Sequence, residues 1–140
     1  MANAFYTYFL NNLLDAATTR PDLDTDTIQM VLTDHGADTP APTTDNFLDD
    51  ISAGTISTSS ALGTKTVGTV ATGVFDAADM SPAFTAVSGA TCESLTLYEH
   101  SGTPGTSDLI VYWDTATGLP LTPNGGDVNV AFNGSGIFKI

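Results

Sequence analysis

The apolar positions of the first segment recur at helical spacing. Phe5, Phe9 and Leu13 stand four residues apart, with Tyr6, Leu10 and Leu14 one position behind them. They form a wide apolar stripe with Asn11 and Asn12 on the other side, which predicts an amphipathic helix over residues 5–17. Thr18, Thr19 and Pro21 then stop it. A stripe this aromatic must be covered, either by the chain's own β core or by another subunit.

Beyond residue 27 the period changes from helical to alternating. Ile28, Met30 and Leu32 mark one face of a strand over 27–33. A Pro/Thr-rich loop holding Pro40 and Pro42 follows over 34–44, and Asp45 is placed to cap a short helical turn with Phe47, Leu48 and Ile51 pointing inward. Residues 62–74 are rich in Thr, Gly, Val and Ala and read as two short strands, split at Gly68 or broken near Gly73. Residues 75–80 read as a connection, and 83–87 as a strand around Phe84. Strand 91–98 carries Leu95 and Leu97 on one face.

Gly102, Pro104 and Gly105 make a turn. Residues 109–113 are apolar on both faces, the mark of a central strand covered on both sides. A second turn region over 118–126 holds Pro120 and Pro123. Val128, Val130 and Phe132 then alternate with polar or small residues as a half-buried strand. Asn133 and Gly134 form a tight turn before a last strand over 137–140. The total is seven or eight short strands and one N-terminal amphipathic helix. That pattern predicts a mainly β fold, an antiparallel β-sandwich or jellyroll-like barrel. The 140 residues make one domain, with β segments throughout 27–140.

Charge narrows the function classes. Sixteen acidic residues face three basic ones, Arg20, Lys65 and Lys139, for a net charge of -13. Nucleic-acid binding needs clustered Lys and Arg to neutralise phosphates, so no direct contact with nucleic acid is expected. The acidic excess can keep the protein from a packaged polyanion, steer it to a basic partner, or simply hold it in solution. Charged residues are only 14% of the chain, against roughly 25% in ordinary domains. Ser, Thr, Asn and Gly take their place, and such side chains desolvate cheaply against another protein surface. The apolar stretch near the start has no basic region before it and is broken by Asn11 and Asn12, so neither a signal peptide nor a membrane span is expected.

Candidate chemistry is sparse. Asp22, Asp24 and Asp26 alternate as in a calcium loop, but Thr27 and Thr33 occupy the positions that require glycine and glutamate. His35 and His100 lie at strand ends beside Asp34 and Glu99, outside any ligand-spaced cluster, and Cys92 alone supplies no thiolate set for zinc. Cys92 reads as a buried strand residue. No nucleophile elbow marks a hydrolase, and the glycines follow neither phosphate-cradling pattern. No catalytic residue, cofactor or metal is therefore expected. Trp113 and Tyr112 would make a sugar platform only if they faced solvent, whereas their apolar strand reads as core.

Four stretches, MANAFYTYFLNNLL, TDNFLDDISAG, TGVFDAADMSPAFTAVSGATCESLTLYEHSG and SDLIVYWDTATGLPLTPNGGDVNVAFNGSGIFKI, cover most of the chain. Together they resemble a family of small structural proteins of the tailed-bacteriophage virion. In size and β content the chain also resembles the cement or decoration proteins of capsid shells, which often have jellyroll-like folds. The resemblance implies a non-enzymatic protein of the virion exterior that binds and stabilises the shell of major capsid protein, in homo-oligomeric form. A neck, connector or tail component of the same particle is the alternative, and a glycan- or receptor-binding module a further one.

Under this reading the anchoring surfaces are Phe5, Tyr6 and Phe9 on the helix and the exposed loop around Pro40 and Pro42. The last strand, with Ile137, Phe138 and Ile140, joins them because an edge strand offers unpaired backbone groups.

Overall fold

A computed structural model describes residues 3–15 and 20–140. Strand takes 31% of the described residues and helix 13%, so the class is mainly β, and the sheets are antiparallel in a sandwich-like arrangement. The first element is not helix. Ala4–Phe5 forms a two-residue strand, β1, and the helix α1 spans only Thr7–Leu14. The helical stripe misassigned Phe5 because that residue pairs across the sheet with Val111, a partner 106 positions away. Ala16 and Ala17, the expected end of the helix, lie outside the described residues.

The remaining strands are β2 (Ile28–Thr33), β3 (Thr55–Thr58), β4 (Thr66–Val67), β5 (Val74–Asp76) and β6 (Met80–Phe84). They are followed by β7 (Ser94–Glu99), β8 (Leu109–Trp113), β9 (Val128–Val130) and β10 (Phe138–Lys139). The expected connection over 75–80 is therefore shorter, residues 77–79 between β5 and β6, and the strand expected at 83–87 ends at Phe84. Five strands pair in the order β1-β8-β7-β2-β3; two smaller sheets pair as β10-β5-β4 and β6-β9. β8 and β7 are central, as the two-sided apolarity of 109–113 predicts.

Register divides the large sheet into two unlike faces. On one, Leu32, Leu95 and Trp113 form a row across three strands, and Met30, Leu97, Val111 and Phe5 form the next. On the other, Val31, Thr96, Tyr112 and Ala4 form a row beside the Thr33–Ser94 pair. This second face is buried although rich in hydroxyls; Thr33 Oγ1 makes no hydrogen bond there, but others are partnered. The hydroxyls of Tyr6 and Thr96 lie 3.3 Å apart, and Tyr98 donates to Gln29 Oε1 at 2.8 Å.

The hydroxyl-bearing face is covered by α1, the 34–47 loop and a 3-10 helix, Leu48–Gly54. Phe9 of α1 is fully buried, and Thr7 N–H donates to the Pro42 carbonyl at 2.9 Å. Asp45 does not cap the short helix. Its carboxylate takes the Ala41 N–H at 2.6 Å, closing the turn over 41–45, while Asp50 takes Asn46 N–H at 2.8 Å and Phe47 N–H at 3.0 Å. Gly54 ends that helix against the sheet, where a Cβ would stand 2.7 Å from Thr33 Cγ2 and 2.8 Å from two backbone carbonyls. Only glycine fits so close an approach.

The aliphatic face is covered by the two small sheets. Phe138 meets Phe5 edge to face with ring centroids 5.0 Å apart and lies 5.3 Å from Phe75. Met80 and Phe84 of β6 belong to the same buried cluster as Met30 and Leu97. Among the described residues no helix is long and apolar enough to cross a membrane.

Candidate interaction surface and groove

The carboxylates are unevenly spread along the chain. None occurs between Asp50 and Asp76, and none after Asp127. Folding turns this into an asymmetry between the two sides of the large sheet. The segment over the hydroxyl-bearing face carries Asp34, Asp38, Asp45, Asp49 and Asp50. The β10-β5-β4 sheet, over the aliphatic face, draws mainly on the two acid-free stretches, and Asp76 at the end of β5 is the one carboxylate within its strands. Two of the three basic residues, Lys65 and Lys139, lie at its edge strands. Asp79 and Asp127, which border the same side, are turned to backbone: they accept from the N–H of Phe132 and Ala86 at 2.8 and 2.9 Å.

Exposed apolar side chains gather at one end of this sheet. Val67, Val70 and Ile140 are 51%, 45% and 58% exposed. Gly68 N–H donates to the Val74 carbonyl and Ile140 N–H to the Gly73 carbonyl, so the hairpin tip and Ile140 are neighbours. Gly73 has φ +77°, and a Cβ there would stand 2.6 Å from the Ile140 carbonyl oxygen. The fourth exposed large apolar residue, Leu14, is at the end of α1.

Beside the small sheets a groove of about 710 Å³ opens between β9 and the large sheet. Its floor is the Leu32, Leu95 and Trp113 row. Residues 115–119 form one rim and residues 128–133 the other, with Ile137 and Phe84 closing the ends. None of the lining residues carries a formal charge. Trp113 is half-buried and reaches this groove, whereas Tyr112, on the opposite face, is fully buried.

The residues expected to anchor a partner separate into two groups. Phe5, Phe138 and Ile137 come together on the aliphatic side, half-buried, and Ile140 stands exposed beside them. Tyr6 and Phe9 are fully buried in the chain's own core, and burial drives the Tyr6 phenol well above its usual range. Pro40 and Pro42 are buried as well, which corrects the expectation of an exposed loop: that loop is the lid over the hydroxyl-bearing face. Val67, Val70 and the groove went unrecognised in the sequence. The acid-free runs 51–75 and 128–140 were the signal that pointed to them.

His35 is tied into the covered face. Its Nε2 lies 2.9 Å from Ser94 Oγ and 3.4 Å from the Tyr112 hydroxyl, its ring stacks on Tyr112, and its backbone N–H donates to Glu93 Oε2 at 2.9 Å. Ser94 and Tyr112 are fully enclosed, so the cluster pins the 34–39 turn to the sheet. His100 lies apart, exposed, with its N–H on the Thr27 carbonyl. The Asp22 backbone N–H donates to Asp26 Oδ2 at 2.7 Å, closing the acidic turn on itself. Among the described residues no three His, Cys, Asp or Glu side chains are grouped to hold a metal. Cys92 is buried and bridges to Leu121 through a reciprocal pair of backbone bonds, both 2.8 Å.

No family model matches the chain, and no curated protein matches it either.

Proposed function

We propose that this chain is a non-enzymatic structural protein of a tailed-phage particle, a cement protein that docks on the shell of major capsid protein. The resemblance of its four long segments to small virion proteins supplies the particle. The observation that carries the docking mode is the charge asymmetry across the sandwich. A protein bearing -13 can lie flat on another protein only through a side where few carboxylates must be desolvated. The β10-β5-β4 side, with Val67, Val70 and Ile140 exposed and Lys65 and Lys139 at its edges, meets that need. The opposite layer, with Asp34, Asp38, Asp45, Asp49 and Asp50, then faces solvent and keeps neighbouring particles apart by repulsion. Weak individual contacts suffice, because copies repeated over a lattice act together.

Quantifying the protein in purified particles tests this reading. Copies on the order of hundreds per particle are expected of a shell protein, in keeping with lattice symmetry. A single ring of copies would move it to the neck or tail. Absence from purified particles would end the proposal.

A further inference from the structure

The dipeptide Asn-Gly occurs twice, at 124–125 and 133–134, and both asparagines are exposed. This pairing favours spontaneous deamidation, because glycine has no Cβ to hinder its own nitrogen as that atom attacks the preceding side chain. Both side chains fold back in the same way. Asn124 Oδ1 accepts from Gly126 N–H and Asn133 Oδ1 from Ser135 N–H, each at 2.9 Å. The two sites differ at the attacking nitrogen. Gly125 N–H donates to the carbonyl of buried Val87 at 2.8 Å, and Val87 N–H donates back to the Gly126 carbonyl at 2.9 Å. Among the described residues Gly134 N–H has no such acceptor. Its turn is closed only locally, by Gly136 N–H on the Asn133 carbonyl at 2.8 Å. A Cβ on Gly134 would meet nothing within 4 Å, so that peptide has room to rotate.

We propose that Asn133 is a deamidation site of the folded protein, while the clamp on Val87 holds the same chemistry back at Asn124. Gly134 N gives its proton to hydroxide and bonds to Asn133 Cγ. The Cγ–Nδ2 bond breaks and ammonia leaves, closing a five-membered imide. Water then opens either imide carbonyl, giving aspartate or isoaspartate, with no change of oxidation state. Either product places a carboxylate in the acid-free run 128–140, on the rim of the uncharged groove. It also stands next to Phe132, whose N–H is held by the Asp79 carboxylate at 2.8 Å, so like charges are brought together. Isoaspartate adds a backbone methylene three residues before Gly136, which packs so tightly that a Cβ there would run into Val74 Cγ1. The consequence for docking rests on the function proposed above: a new charge on the carboxylate-poor side must be desolvated, so modified copies bind the shell less well.

The full chain, incubated in warm and mildly alkaline buffer and mapped by peptide mass spectrometry over time, tests the chemistry. Asn133 should convert at least about fivefold faster than Asn124, the factor that one net hydrogen bond confers. In denaturant both clamp and turn are gone, and the two rates should converge. Gly134→Ala fits the open space and lies outside the left-handed region, so circular dichroism should show the fold retained. It should slow conversion of Asn133 about two- to fivefold, through the backbone freedom lost with the glycine.

Conversion of Asn124 as fast as Asn133 in the folded chain overturns the proposal. So does a difference that persists undiminished in denaturant, which would trace to sequence and not to the Val87 clamp. An unchanged rate in Gly134→Ala overturns it too. In lysates, the modified share should be lower among particle-bound copies than among free ones; equal shares would overturn the effect on docking. Mapping of the free protein reads the chemistry alone and copy number reads the particle alone, so either can fail without the other.

Discussion

Phe5 and Phe138 meet edge to face with ring centroids 5.0 Å apart, joining strands that lie 133 positions apart in the chain. Phe75 flanks the same ring of Phe138 at 5.3 Å, so one half-buried aromatic holds the small sheet onto the edge of the large one. Full burial makes a Phe→Ala change cost about 3–5 kcal/mol. Phe138 is partly exposed, and Phe138→Ala should cost about 2 kcal/mol. Urea unfolding followed by near-UV circular dichroism measures it. A loss within experimental error would mean the small sheet is not docked as described.

Asp108 should make stability depend on pH in an unusual direction. Only 4% of it is exposed, and burial pushes its carboxyl up to about 6; the nearby Asn12 amide offsets this only in part. Neither Asp108 Oδ2 nor Asn12 Nδ2 completes a hydrogen bond of normal length. The folded chain therefore holds a proton that the unfolded chain releases between about pH 4 and 6. In that window stability should rise as pH falls, by an amount on the order of 2–3 kcal/mol from this group. Asp45 and Glu99 are raised chiefly by burial too and act in the same direction. Asp108→Asn should raise the melting temperature at pH 7 and flatten the slope between pH 6 and 4. A variant less stable than the parent at pH 7 would contradict the assignment.

The thiol of Cys92 should be silent in the folded protein. It is fully buried, and burial together with Glu93 and Asp34 raises its pKa, so thiolate is scarce as well as inaccessible. A colourimetric thiol reagent at pH 8 should react at least about a thousandfold slower than in denaturant, since attack awaits opening of the core. Stoichiometric labelling within seconds in native buffer would show that the Cys92–Leu121 bridge opens freely.

Gly54→Ala probes the lid over the hydroxyl-bearing face. The added methyl has Thr33 Cγ2 at 2.7 Å and the carbonyls of Asp34 and Asp38 at 2.8 Å, two of them backbone that cannot step aside. Overpacking of this kind costs about 1–3 kcal/mol, and the upper end is expected here. Equilibrium unfolding measures it. An unchanged midpoint would mean the 34–54 segment lies looser on the sheet.

Much of the sheet was legible because its strands carry their burial in their own composition. β2 alternates through Ile28, Met30 and Leu32, and β8 is apolar on both faces, so each announces itself without knowledge of a partner. β1 is two residues long and exists only through pairing with Val111–Tyr112, which no local pattern encodes, whereas β10 falls within the strand expected over 137–140. β3, Thr-Ile-Ser-Thr, has too little apolar alternation to show. Pro40 and Pro42 misled for a related reason: proline-rich loops usually run over the surface, but this one closes a face whose hydroxyls need covering. The groove unites Leu32, Leu95, Trp113 and residues 128–133, whose adjacency is created by register. Only the long carboxylate-free runs foreshadowed it.

The pairing of Ala4 and Phe5 with Tyr112 and Val111 sets a timetable for the nascent chain. The aromatic segment leaves the ribosome early, yet its place in the large sheet does not exist until β8 has been made. Until then Phe5, Tyr6 and Phe9 lack the native surface that covers them, and exposed aromatics of this kind draw chaperones or neighbouring chains. Slowing elongation should therefore hinder this protein instead of helping it, and yield should depend on holding that segment apart until strand 109–113 emerges.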